Sequence, residues 1–370
     1  MKRIIKPVLA IVLGLCLVGC SKKTYNNNSN NPTSTTRTKT KPTNETTTTI
    51  TTTEEQKQYI SVKLDFGDYG EYGVDEKYKG WHDVEEITKD LFPFDLVWEL
   101  RNFKGWTYND EIIFDENGDK VKDFEIAESM IFNVVFEPIE ELKLFDYSLG
   151  MSDDQFNIWG FANDDPDYLS TLTTIEIPNK VTWNDKNFEI YRIHASGDKL
   201  NGCNNVEKLI IPYANGISSS GFLSFHFGCL WGTKEFENSY EIIGYFQPSS
   251  ASSEYKETKY YVPKSLKTLK ITGDFIDTHT FSNYNQLKDI EFIITRNMKK
   301  IYYNAFYGIT EQITIYFEGT IAEFNSIDVA ENGNDAWTNA NVYFYSEEDP
   351  GDGGSYSYFY YDENGDIALW

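Results

Sequence analysis

The sequence predicts a mainly β chain with minor α+β elements, in which a small β domain precedes a short, irregular solenoid. Three observations lead there. In "LKTLKIT" the apolar residues Leu266, Leu269 and Ile271 stand three and then two apart, which suits neither a helix face nor a simple half-buried strand. Words with this gap pattern return along the second half of the chain. Upstream, Ile60, Val62 and Leu64 alternate as a strand does.

The first element is an export signal, residues 1–20. A basic start (Lys2, Arg3, Lys6) precedes an apolar run from Val8 to Val18 that is too short to span a bilayer. The run ends in "LVGC", which resembles the lipobox of bacterial lipoproteins. That resemblance implies a diacylglyceryl group on Cys20, and two acyl chains suffice for durable anchoring. Ser21, Lys22 and Lys23 follow, without an Asp in the second position. Retention on the extracellular face of the cell membrane is expected, with the lysines favouring an anionic lipid surface.

Residues 21–58 form a Thr/Asn-rich tether, "NNNSNNPTSTTRTKTKPTNETTTTITTT", with too few apolar side chains to offset ordering entropy. As a coil it would span about 35 Å, and about 120 Å fully extended. The chain carries 58 acidic and 33 Lys+Arg residues, a net charge of −25. Removing +3 for the signal and +3 for the tether (six basic, three acidic) leaves −31 on residues 59–370. Such a body disfavours a phosphate backbone, and nucleic acid is excluded as a partner.

The small domain is assigned to residues 59–137. Beyond its first strand come a turn at Glu116-Asn117-Gly118-Asp119 and a closing strand around Ile131–Phe136. "NFKGWTY" followed by "MIFNVVFE" resembles the internalin B-type repeat, which implies a β-grasp-like spacer with Trp106 in its core. "DFGDYGEYGVDEKYKGWHDVEEITKDLFPFD" departs from that family's usual Asn-Gly-Gly opening.

The solenoid is assigned to residues 138–346. Its words place Leu172, Ile175 and Ile177, then Val206, Leu209 and Ile211, then Leu266, Leu269 and Ile271 in equivalent positions. Leu287, Ile290 and Phe292 follow, and then Ile315 and Phe317. Successive units are 34, 60, 21 and 25 residues apart, the longer gaps implying insertions or a degenerate coil. Each coil contributes one short strand and a sharp turn, so stacked coils share a buried column. "NGCNNVEKLIIP", "TFSNYNQLKDIEF" and "MKKIYYNAFYG" resemble the BspA-like leucine-rich repeats of bacterial surface proteins. "LKLFDYSLGMSDDQFNIWGF" is similar to the lead-in hairpin of such arrays, and "FEGTIAEFNSI" with "NVYFYS" to their closing coil. The tail, residues 347–370, ends in "SYSYFYYDENGDIALW" and is expected to form a hairpin over the open end. The other use of Tyr356, Tyr358, Tyr360 and Trp370 is an exposed aromatic patch.

Catalytic chemistry finds little footing. His82, His194, His226 and His279 lack zinc-motif spacing, and no cofactor or metal is implied. His226 precedes Cys229 by three residues, but the Gly-Cys word points that thiol inward. Cys203 and Cys229 are expected as a buried ladder rather than a disulfide. "DENGD" at 115–119 and 362–366 reads as a hairpin turn, since Ile126 stands where a calcium loop needs a carboxylate.

The BspA-like resemblance implies a surface adhesin that recognises host or neighbouring-cell protein or glycan. Candidate contact residues are the aromatics beside the strands: Trp231, Tyr260, Tyr261, Tyr302, Tyr303 and Tyr316. Two other functions stay open: a nutrient- or glycan-capture lipoprotein serving a transporter, which requires a deep pocket, and a surface hydrolase, for which no motif is present.

Overall fold

The computed structural model describes residues 59–70, 74–98, 100–150, 152, 154–193, 200, 202–213, 216–217, 223–224, 226–246, 256–351 and 356–370. Cys20, the tether and His194 lie outside the described residues. The architecture is mainly β, with 42% strand against 12% helix.

The first sheet is built from β1 (Ile60–Asp65), β2 (Trp81–Val84), β3 (Arg101–Tyr108), β4 (Glu111–Asp115) and β5 (Ser129–Pro138), in the order β2-β1-β5-β3-β4. The alternation of Ile60, Val62 and Leu64 turns all three onto a core with Phe92, Phe114 and Phe132. Trp106 is fully buried there and its indole N–H donates to the Pro93 carbonyl at 3.0 Å. The aromatic-Gly-Trp word has a backbone reason. Gly105 sits at φ +124° beside a register shift in β3, and a Cβ there would lie 2.0 Å from the Phe114 carbonyl oxygen.

The chain passes from this sheet directly into a second core. Leu100, at φ 58°, packs in that second core, and its carbonyl accepts from the Tyr147 hydroxyl at 2.7 Å. Burial pushes that phenol up to about 12, against the pull of the Arg101 guanidinium 4.9 Å from its ring.

The second core begins with β6 (Phe145–Leu149) and β7 (Gln155–Phe161), an antiparallel hairpin, and a short helix α1 (Pro166–Leu169). Next come β8 (Thr174–Glu176), β9 (Lys180–Trp183), β10 (Lys186–Ile193) and β11 (Lys208–Ile211). Strands β6-β7-β10-β9 make a four-stranded sheet. The two-residue strands β12 (Gly216–Ile217) and β13 (Leu223–Ser224) pair with each other, and β14 (Ser239–Phe246) pairs antiparallel with β15 (Lys256–Pro263). The remaining strands are β16 (Thr268–Ile271), β17 (Phe275–Ile276), β18 (Glu291–Thr295), β19 (Lys300–Ile301), β20 (Thr314–Glu318), β21 (Asp328–Val329), β22 (Asn341–Tyr345), β23 (Ser357–Tyr361) and β24 (Ile367–Leu369). Helices α2 (Ile321–Asn325) and α3 (Asp335–Thr338) flank β21.

The gap-pattern words become neighbours in one eight-stranded sheet, β24-β23-β22-β20-β18-β16-β11-β8, parallel throughout except for the last hairpin. Ile175, Leu209, Leu269, Phe292, Ile315 and Val342 stand side by side, followed two residues on by Ile211, Ile271, Ile294, Phe317 and Phe344. Ile177, Val206, Leu266, Leu287 and Ile290 are buried with them, while Leu172 is only partly buried at the rim. On the far side β17, β19 and β21 form a second parallel ladder.

One pairing differs from the sequence expectation. Leu269 faces Phe292 rather than Ile290, and Phe292 in turn faces Ile315, so both steps are 23 residues instead of 21 and 25. "IEFII" has apolar residues at 290, 292 and 294, and a slip of two keeps the same face inward, so apolar pattern alone leaves that register open.

Two outcomes are expected from chemical denaturation. Leu269→Ala, at the middle of the column, lowers stability by about 3 kcal/mol, whereas Lys267→Ala stays within about 0.5 kcal/mol. Gly105→Ala costs about 2–4 kcal/mol, because its φ and the Phe114 carbonyl both resist a methyl group.

Candidate functional site

The ladder leaves two surfaces. On the strand face away from the column, Lys270 of β16 meets Glu318 of β20 at 2.7 Å, and the Tyr361 hydroxyl of β23 donates to the same carboxylate oxygen at 2.5 Å. The Thr268 hydroxyl donates to Glu291 at 2.8 Å. Burial first, then the Glu318 hydrogen bond, raises the Tyr361 phenol well above its ordinary range. Tyr316 stacks on Tyr343 at 5.4 Å and meets Phe359 edge-on at the same distance. Phe359 is fully buried and Ile293 nearly so, although both belong to this face. The C-terminal hairpin lies against it: Asp366 lines a groove of about 430 Å³ with Thr174, Lys208, Thr268 and Glu291. Tyr316 is thus half-buried among its neighbours.

The other surface runs along the turns beside β17 and β19, where aromatic side chains reach solvent. Tyr213 stacks on Phe275 at 4.6 Å, and Phe275 meets Tyr302 edge-on at 6.0 Å. Lys300 lies 5.0 Å from the Tyr302 ring and pairs with Asp328 at 3.1 Å. Around His279 stand Tyr245 of β14 at 4.7 Å and Tyr303 and Tyr307 at 6.4 Å each. Tyr302, Tyr303 and Tyr307 are 36%, 45% and 49% exposed. Repeating backbone geometry places them: His279 and Asn304, 25 residues apart, both adopt φ near 60°, each two residues before a fully buried Phe (Phe281, Phe306). The chain turns at these points, sending the phenylalanine in and its neighbours out.

The six candidate residues do not converge. Tyr302 and Tyr303 belong to the turn-side surface, Tyr316 to the strand face, and Tyr261 to the outer side of β15, where its hydroxyl donates to Glu241 at 3.2 Å. Trp231 and Tyr260 are not surface residues at all. Trp231 is fully buried with its ring 5.1 Å from Phe227. Tyr260 is 5% exposed because neighbours on a strand face opposite ways, and Tyr261 takes the outer side. Sequence reasoning missed Tyr307, Tyr245, Phe275 and Tyr213. Tyr307 had a signal, standing directly after the buried Phe306 in "YNAFYG"; the others depend on tertiary placement.

Beneath the turn-side surface His226 is fully buried. Its Nδ1 accepts from the Gly228 N–H at 3.1 Å, so Nε2 carries the proton and donates to the Ser282 carbonyl at 2.8 Å. Burial pushes the imidazole down to about 4. Cys229 follows on the same 3-10 turn, Phe227–Leu230, and both Cys203 and Cys229 are buried. Burial pushes Cys203 up to about 12, which makes it a poor nucleophile.

Both DENGD words form the same turn. Asp115 Oδ1 accepts from Asn117 N and Asp119 N, and Asp362 Oδ1 from Asn364 N and Asp366 N, with Gly118 and Gly365 at φ 79° and 80°. Among the described residues no cluster of three or more His, Cys, Asp or Glu is placed to hold a metal ion. A surface groove of about 940 Å³ lies in the N-terminal sheet between Glu85–Lys89 and Phe124–Glu128, away from all six candidates. Comparison with protein-family models, with curated proteins and with solved structures gives no match.

Replacing Tyr303 and Tyr307 together by Ala is expected to shift the melting temperature by no more than about 2 °C, since both are half-exposed. Trp231→Ala, by contrast, is expected to cost about 3–5 kcal/mol.

Proposed function

We propose that this chain is a lipid-anchored bacterial surface protein that binds an extracellular protein or glycan, with residues 138–346 as a BspA-like leucine-rich-repeat solenoid and residues 59–137 as an internalin B-type, β-grasp-like spacer. In this reading Cys20 carries the diacylglyceryl group, and the tether holds the acidic body away from the membrane. No cofactor takes part.

The observation that carries the binding role is the row of exposed rings on the turn side, Tyr302, Tyr303 and Tyr307, backed by Phe275, His279 and Tyr245. These rings project from turns that the parallel ladder holds in place. Rigid aromatic side chains offer large contact area at small entropic cost, which is what an interface centre requires. The strand face is less available, since the C-terminal hairpin lies against it and Lys270, Glu318 and Tyr361 satisfy one another. The parallel register from β8 to β22 supports the solenoid assignment.

Two experiments test this. The 59–370 fragment, screened on an array of extracellular proteins and glycans, should bind a definable ligand, and Tyr303→Ala or Tyr307→Ala should weaken it about tenfold or more at unchanged melting temperature. Binding indifferent to both substitutions removes the turn-side surface from the proposal. In cells, Cys20→Ala should abolish incorporation of labelled palmitate and release the protein from the membrane fraction.

A further inference from the structure

The inserted hairpin β14–β15 rests on the ladder through Ile242 and Val262, both buried in the larger core, and through a polar set of contacts centred on two histidines. His226 lies flat on Tyr260 of β15, with ring centroids 5.2 Å apart and planes 8° from parallel. Gly244 of β14 backs onto the same imidazole so closely that a Cβ there would come within 2.4 Å of it. From the ladder side, Ser282 supplies the carbonyl that receives the His226 Nε2–H. Ser282 also holds the second ring. Its hydroxyl donates to the Asn304 carbonyl at 3.1 Å, so the contact at 3.1 Å to His279 Nδ1 has the imidazole as donor. His279 then packs against Tyr245 of β14, and Asn283 donates to the Ile243 carbonyl of β14 at 2.8 Å.

We propose that His226 and His279 form a proton-operated latch, holding the β14–β15 hairpin docked on the ladder while both rings are neutral and releasing it when they are protonated. The latch rests on this packing and not on the adhesive role, although His279 and Tyr245 back the exposed tyrosines as well. His226 is committed on both nitrogens, and a proton added at Nδ1 would point at the Gly228 N–H that caps the 3-10 turn, breaking that bond and placing a charge in a fully buried site. Tyr260 and Ser282 face His226; Tyr245, Tyr303 and Tyr307 face His279. The carboxylates near them are Asp277, two residues before His279 and accepting from the Thr278 N–H, and Glu257, cross-strand from Tyr245.

Burial lowers both imidazoles, His226 from 6.5 to about 4. For a histidine whose pKa is depressed in the docked form, the released form binds the proton first. Docking is therefore fully favoured above pH 6.5 and is lost as pH falls toward 4. At pH 5 the released population should rise about 30-fold relative to pH 7.5 from His226 alone. A detached two-stranded hairpin is marginal in water, so its backbone amides should lose protection with it.

Hydrogen exchange of the full chain at pH 7.5 and pH 5, corrected for intrinsic rates, tests the latch. Amides of β14 and β15 are expected to lose protection about 30-fold while those of β16, β18 and β20 change by less than about threefold. His226→Asn, which keeps a side-chain acceptor for the Gly228 N–H but does not titrate, is expected to abolish most of that difference. Parallel loss in hairpin and ladder, an unchanged hairpin at pH 5, or a full response surviving in H226N would each overturn the proposal. The comparison within the wild-type chain decides the matter even where H226N fails to fold.

Discussion

Everything in the larger part of this protein leans on one column of side chains. Ile175, Leu209, Leu269, Phe292 and Ile315 lie in register across five parallel strands, each fully shielded from water. None of these strands exceeds five residues, and none could bury its apolar side chains alone. Stacking removes them from water at roughly 25 cal/mol per Å² of apolar surface, and the flanking turns are shaped by the need to deliver the next strand to the same height. The buried phenylalanines Phe227, Phe281 and Phe306 form a second stack on the turn side, with ring centroids 5.6 and 5.5 Å apart, which fixes where the surface tyrosines emerge.

A ladder built from nearest-neighbour contacts tolerates insertions at its turns. Sixty residues separate Leu209 from Leu269, yet the two sit side by side, and the extra chain departs as the β14–β15 hairpin. Such an insertion brings its own cost, since a hairpin with an exposed outer face must find something to lie on. Here the support includes a buried imidazole between Tyr260 and Gly244, a polar group where a leucine would seem simpler. The same placement makes the attachment sensitive to protons, which the column of Leu, Ile and Phe is not.

Much of the fold was legible in the sequence, for a reason visible in particular residues. The gap of three and two in "LKTLKIT" reports a strand that begins as the chain finishes a turn, and no helix or free-standing strand reproduces it. The DENGD pentapeptide gives one turn in two unrelated settings, because Asp115 and Asp362 fold onto their own backbone and Gly118 and Gly365 supply the positive φ. The candidate site was less legible. Tyr260 and Tyr261 look alike on paper, and only the direction in which β15 packs tells which ring is buried. Trp231 reads as a surface aromatic until Phe227 is found against it. Tyr245 belongs to the site solely because an inserted hairpin folds back beside His279.

By itself the sequence determined what is local and periodic: mainly β structure, the turns at 115–119 and 362–366, and the identity of the apolar residues that must share a core. The tertiary structure decided the pairing of Leu269 with Phe292, which periodicity leaves open because a slip of two preserves the face. It decided too which aromatics reach water, since exposure depends on neighbours contributed by distant strands and turns, and no spacing rule in a single chain encodes those.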